Sequence, residues 1–285
     1  MQIIKRSLAV LGWFVVFPAF ADGAIGDGVK TLPLFDAHMH YKEPAWDEYP
    51  VGTVIELMDK SGVAMALVSS TPDDGTIMLW EHAPDRIVPE MRPYKNQAGS
   101  GNWTKFPGML DYITQRLDAY PHTGIGEFHL HRIDPADKDL INGIVSMAIK
   151  RDIFVHVHSG QEPVKLLLAL EPNLKVIWAH AGMSEPPEVI EPLMEKHATL
   201  YADTSFRESD ILAVDGIDPE WEALLIKFSD RFMVGSDTWV NDQWARYETL
   251  MAINRKWLSY LPREVAERIA YKNAQRLFER NIKLD

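Results

Sequence analysis

Eight short apolar runs, each followed by a polar loop and a stretch of helical spacing, are the feature that most constrains this chain. They are Pro33–His40, Val63–Ser70, Ile87–Tyr94, Thr123–His131, Asp152–Gly160, Lys175–Met183, Leu200–Phe206 and Phe232–Thr238. Helical spacing marks Val51–Ser61, Gly108–Ala119, Lys138–Arg151, Val164–Leu170, Glu188–His197 and Asp218–Lys227, then Asp242–Trp257 and Arg263–Ile282 after the last run. Strands that alternate with helices pair in parallel through right-handed crossovers. Eight such units predict an α/β fold, a single-domain (β/α)₈ TIM barrel, with an open doubly wound sheet as the structural rival.

The polar residues favour the barrel. In a closed barrel, chemistry gathers at the C-terminal ends of the strands. His38 and His40 end the first run, Glu127 to His131 the fourth, His156 and His158 the fifth, His180 the sixth and Asp237 the eighth. Ionisable groups ending five apolar strands converge on one mouth if the barrel closes.

Side chains alternate faces along a strand, so Asp36, His38 and His40 point one way and Phe35, Ala37 and Met39 the other. Two imidazoles on one edge can reach a single divalent cation at ~2.0–2.1 Å. Asp36, deeper on that face, is expected to accept from a histidine and fix its tautomer. His158 lies nearer the mouth than His156, so His158 is the expected ligand and His156 its buried neighbour. Glu127, His129 and His131 share a face; Glu127 is expected to ligate one ion or bridge two, the alternative being a buried carboxylate paired with Arg92 or Arg132. Asp237 can ligate a metal and take a proton from water as general base, although a helix cap is the plainer reading of an Asp there. His82, His122 and His197 read as surface or loop residues.

Asp36-Ala37-His38-Met39-His40, Gly126-Glu127-Phe128, His158-Ser159-Gly160, Ala179-His180-Ala181-Gly182 and Gly235-Ser236-Asp237 together resemble the amidohydrolase superfamily. The likeness is greatest to its amidohydrolase-2 branch, which includes lactonases, decarboxylases and aromatic-acid hydratases. The resemblance implies that His38, His40, His158, His180 and Asp237 occupy metal and catalytic positions. It implies for His180 a substrate or water contact with one metal, and ligation of the second ion with two. The carbamylated lysine common in two-metal relatives has no counterpart here. Glu127 stands where TatD-like deoxyribonucleases carry a glutamate, so one or two ions remain open.

The expected function is metal-dependent hydrolysis of a small organic ester, lactone or amide. Decarboxylation of a small carboxylic acid, a TatD-like phosphoesterase and a non-catalytic exported metal- or solute-binding protein are the rivals. Ligation by nitrogen and oxygen without sulfur suits Zn²⁺ first, with Mn²⁺ and Fe²⁺ also admitted. Among the loops after the strands, Trp46, Trp103, Phe206 and Trp239 are candidates to wall an apolar pocket, and Arg92, Lys105 or Arg207 to hold an anionic group.

Composition narrows the class. The chain has no cysteine, which excludes disulfides, thiolate ligands and a cysteine nucleophile. Its net charge of −12 lacks the basic footprint of a nucleic-acid binder. Lys5 and Arg6, an apolar run from Leu8 to Phe20 and the ending Ala19-Phe20-Ala21 read as a signal peptide over 1–21, with the hydrolase domain over 22–285. The run is too short for a stable membrane anchor. Export across an inner membrane to the periplasm is therefore expected. A small molecule is the expected partner, and assembly into a homo-oligomer is left open.

Overall fold

A computed structural model describes residues 32–283; the signal peptide assigned to 1–21 lies outside them. Eight parallel strands form the frame: β1 (Leu34–Met39), β2 (Val63–Val68), β3 (Ile87–Pro89), β4 (Gly124–His129), β5 (Phe154–His158), β6 (Val176–Trp178), β7 (Leu200–Asp203) and β8 (Phe232–Met233). Each is continuously apolar or nearly so, as a strand covered on both faces must be. They run as two ladders, β1-β2-β3 and β4-β5-β6-β7-β8.

A few isolated hydrogen bonds rather than full ladders carry the two seams between them. Between β3 and β4, Met91 N–H donates to the Gly124 carbonyl at 3.0 Å and Gly126 N–H to the Met91 carbonyl at 2.8 Å. Between β1 and β8, Ala37 N–H donates to Val234 at 2.9 Å and Ser236 N–H to His38 at 3.2 Å. The ring order is that of a (β/α)₈ barrel, as expected.

Helices cover the outside through the apolar faces that the spacing predicts. Pro219–Lys227 shows the local logic: the Asp218 carboxylate accepts from the backbone N–H of Glu220 and Trp221, and Pro219 opens the first turn. Phe35, on the outward face of β1, packs its ring 5.3 Å from that of Phe278 near the chain's end. Among the described residues, no helix is long and apolar enough to cross a membrane.

Two expected helices are broken. Asp242–Trp257 divides at Arg246 into Asn241–Ala245 and Tyr247–Leu258, which brings the Tyr247 hydroxyl to Asp36 at 3.0 Å. Arg263–Ile282 becomes Arg263–Glu267, a π-type turn at Arg268–Lys272, and Asn273–Leu277. The wide turn sets the buried Asn273 amide against the carbonyls of Ser229 and Phe232, at 2.8 Å each. That tie anchors the base of β8.

Gly126 is a point of close backbone approach between β4 and β5. A Cβ there would lie 2.4 Å from the His156 carbonyl oxygen and 2.6 Å from the His156 Cβ. Gly126→Ala is expected to lower stability by about 1–3 kcal/mol, the usual cost of overpacking. Urea unfolding midpoints for the two proteins check this; equal midpoints would show that the strands can separate without cost.

Candidate metal centre

β1 turns Asp36, His38 and His40 into the barrel, and all three are buried. The rear nitrogens of the imidazoles are occupied. His40 Nδ1–H donates to the Ser69 carbonyl at 2.6 Å, His38 Nδ1–H to Asp203 Oδ2 at 3.1 Å, and His180 Nδ1–H to the Ser205 carbonyl at 3.0 Å. A carbonyl can only accept, so the Nδ1 of His40 and His180 carries a proton. In the neutral rings the front Nε2 atoms are then lone pairs.

Those lone pairs face each other and two carboxylates. The Nε2 atoms of His38 and His40 lie 3.2 Å apart. His40 Nε2 is 3.1 Å from Asp237 Oδ1 and 3.4 Å from Glu127 Oε2, and His38 Nε2 is 3.6 Å from the same aspartate oxygen. Two donors on one tetrahedral ion, each bonded at ~2.0–2.1 Å, sit roughly 3.3 Å apart. The observed spacings bracket that value. A second cluster uses the other oxygen of Glu127: Oε1 lies 2.6 Å from His158 Nδ1 and 3.7 Å from His180 Nε2, and those two ring nitrogens are 3.2 Å apart. Both clusters could hold a divalent ion, with Glu127 reaching each.

The electrostatics agree. Burial opposes the charge of Asp237, yet His38, His40 and His180 outweigh it and hold the carboxyl at about 2. Burial likewise opposes ionisation of Glu127 and Asp203, and the surrounding imidazoles hold both well below the usual carboxylate range. The carboxylates draw positive charge in return. Against burial, Glu127, Asp203 and Asp237 lift His180 to about 9.

Behind the site, Asp203 was not anticipated. Its Oδ2 accepts from His38 Nδ1, from His156 Nε2 at 3.1 Å and from the His180 backbone N–H at 3.2 Å; Oδ1 accepts from Ser205 N–H at 3.0 Å and from the Ser205 hydroxyl. His156 also donates to Glu90 at 3.3 Å. Burial pulls its pKa down, and the two acids override this to reach about 10. His156 is thus buried behind His38, held by Asp203 and Glu90.

Several expectations are corrected. Asp36 touches no imidazole ring: it accepts from the backbone N–H of His38 and Ser236, and from the hydroxyls of Ser236 and Tyr247. Asp203 does the orienting instead. His180 does not end a strand but sits at φ 55° in the tight turn Ala179–Gly182. Arg207 is spent on the carbonyls of His180, Ala181 and Glu185 and on Asp210. Trp103 is buried with its Nε1–H on the His129 carbonyl at 2.8 Å. Neither lines the mouth. His122, expected to be a surface or loop residue, lies in the loop before β4, buried against Asp73 at 3.1 Å.

The mouth itself is a cavity of ≈ 560 Å³ above both clusters. Arg92 and Trp239 line it, as expected, together with Lys42, Tyr94 and His129, which were not proposed as substrate contacts. Arg92 also donates to Glu127 Oε2 at 2.7 Å, so the expected ion pair and the convergence on the clusters occur together. His129 stacks on His158 at 4.0 Å and meets the Tyr94 hydroxyl through Nδ1 at 2.9 Å.

A family model described as amidohydrolase matches residues 35–280. No curated protein matches by sequence. Among solved structures, a lactonase from Listeria monocytogenes aligns at TM-score 0.63 and 12% identity, covering 90% of this chain and 97% of its own. The phosphotriesterase homology protein of Escherichia coli, with phosphate in its active site, aligns at 0.58 and 13%, covering 87% and 99%. A zinc-bound amidohydrolase from Burkholderia multivorans aligns at 0.54 and 15%, covering 87% and 100%. At these identities the likeness is one of fold.

Two outcomes follow from the Asp203 network. Asp203→Asn is expected to weaken divalent-ion binding about 10–100-fold, since an amide whose oxygen faces the two imidazoles turns its NH2 against the Ser205 N–H; chelator competition measures it, and unchanged affinity would mean that His38 is oriented by other groups. His156 has its folded pKa raised above the ordinary 6.5 to about 10. Its contribution to stability is therefore whole below pH 6.5 and lost as pH rises toward about 10. The stability gap between the native protein and His156→Gln should narrow across that interval, and a constant gap would contradict the charged state.

Proposed function

This chain belongs to the amidohydrolase family, and from that premise we propose that it hydrolyses a small organic ester, lactone or amide with one or two divalent ions, which Glu127 would help to hold. It is an amidohydrolase-type, metal-dependent hydrolase. In the proposed arrangement His38, His40 and Asp237 would hold an ion, His158 and His180 would hold a second if one binds, and Glu127 lies within reach of both sets. The observation that carries this reading is the convergence of imidazole lone pairs on two carboxylates, with the ring protons of His40 and His180 committed to carbonyls behind. Without a metal ion such a set balances its carboxylates with ring protons, as the raised pKa of His180 shows, and a divalent ion would take the place of those protons. Nitrogen and oxygen ligands without sulfur suit Zn²⁺, and also Mn²⁺ or Fe²⁺; the zinc in the Burkholderia multivorans protein supports the first.

Bound there, divalent ions acidify water from ~15.7 to about 7 and polarise the scissile oxygen. The chain's own groups do the rest. Asp237 is held ionised by the imidazoles around it. Its Oδ1 faces His38 and His40, while Oδ2 lies 3.7 Å from His180 Nε2. Asp237 takes the proton of the attacking water and returns it to the leaving group. Arg92 positions Glu127 by gripping both its carboxylate and its carbonyl. Tyr94, Phe206 and Trp239 give the cavity an apolar wall on which an organic substrate can lie.

A phosphoester is the second reading. It is favoured by Glu127 facing both clusters, because paired ions also suit in-line displacement at phosphorus.

The test joins metal analysis to mutagenesis. Protein purified without chelators is expected to carry one to two equivalents of a transition metal, and Asp237→Asn to lose roughly 100-fold or more of its turnover on esters or lactones. Protein that cannot be loaded with metal, or an Asp237→Asn variant of full activity, would sink the proposal.

A further inference from the structure

Resting on the hydrolytic reading above, we propose that the cavity selects substrates that carry a carboxylate or similar anion on an apolar body, with Lys42 as the residue that selects them. The starting point is a charge anomaly. The chain has 41 acidic against 29 basic residues, yet among the described residues the cavity is lined by acids only at its floor, Glu127 and Asp237. Both are turned onto the imidazoles. Above the floor the charged lining groups are cations, Lys42 and Arg92.

The two cations are not equivalent. Arg92 donates through Nε to the Glu127 carbonyl at 3.0 Å and through Nη2 to its carboxylate at 2.7 Å, with its guanidinium 4.7 Å from the Tyr94 ring centre. It is a positioning residue whose charge is largely answered. Lys42 is half-buried, and among the described residues no carboxylate pairs with it; its ammonium lies 5.7 Å from the centre of the Trp239 ring. A cation partly removed from water, beside another cation and with no carboxylate paired to it among the described residues, gains from an incoming anion.

The rest of the wall defines what the anion is attached to. Met183, Phe206 and Trp239 are large apolar residues between 41% and 47% exposed, and all three line this cavity. They offer a surface for an aliphatic or aromatic body. A cationic substrate is disfavoured, because Lys42 already occupies the face of Trp239. Lys42 also stands two residues beyond His40, just past the end of β1, so one stretch of chain carries both a residue of the candidate metal centre and the ammonium in the cavity wall.

The experiment uses the full, metal-loaded chain and a matched pair of substrates, the nitrophenyl monoester of succinic acid and its methyl ester, which differ by one negative charge. Beside them, binding of phenylacetate and of phenylethanol, which have no bond to hydrolyse, is measured by calorimetry. The native protein is expected to favour the anionic member of each pair. Lys42→Met should reduce that preference about tenfold through KM and Kd, and Lys42→Arg should restore most of it. Equal reduction for both members, or no initial preference, would overturn the proposal. If neither ester is cleaved while phenylacetate still binds through Lys42, the hydrolytic reading fails and the anion site stands. If the esters are cleaved but Lys42→Met leaves their ratio alone, the anion site fails and the hydrolytic reading stands.

Discussion

The carboxylate of Asp203 is the constraint on which the centre of this barrel depends. A buried charge costs several kcal/mol unless its lone pairs are satisfied. Asp203 satisfies them with His38 and His156, the backbone N–H of His180, and the N–H and hydroxyl of Ser205. One group thereby sets the ring of a β1 histidine, the ring of a β5 histidine and the path of the turn after β6. That turn holds His180 and Ala181 at φ 55° and 46°, a conformation that costs a non-glycine residue of order 1–3 kcal/mol. Arg207 helps to offset the cost by taking the carbonyls of both residues.

Much of the polar chemistry around the mouth therefore supports the site without touching a substrate. Arg207, Trp103 and Asp36 each resemble a binding residue by type and by place, and each is fully committed to backbone or buried partners. Arg92 stands between the two roles, gripping Glu127 while facing the cavity. A framework this heavily cross-linked keeps the front nitrogens of the imidazoles close together although their carboxylate neighbours are charged.

What the sequence made legible, and what it hid, divides along physical lines. His38, His40, Glu127, His158 and Asp237 were readable because an ionisable residue at the end of an apolar run has few other reasons to be there. The eight-strand barrel was readable for a related reason, since strands covered on both faces leave continuous apolar runs. Asp203 ended such a run too, in Leu200-Tyr201-Ala202-Asp203, and the same rule would have found it. Ser69 and Ser205 were beyond reach: each acts through a carbonyl or a single hydroxyl, and nothing in a residue's type reports where its backbone points. Arg207 and Trp103 were misread because loop residues are assigned by tertiary contacts that spacing does not encode. The break at Arg268–Lys272 was equally hidden, since it is fixed by the demand of Asn273 for carbonyls at the base of β8.

The seam between β1 and β8 has a further meaning in time. His38 and His40 lie near the start of the chain, Asp237 close to its end, and the backbone of one strand end is stitched to the other through Ser236, Asp237 and Thr238. During synthesis the first ligands emerge some two hundred residues before the last. No ordering of earlier elements can complete the pocket, and such sequence-distant pairings form late and slowly. The nascent chain thus carries exposed histidines but not the finished coordination sphere. Capture of an ion by the His38–His40 cluster would wait until Asp237 has emerged, and an ion seated across the seam would then act as a clasp joining two sequence-distant parts of the polypeptide.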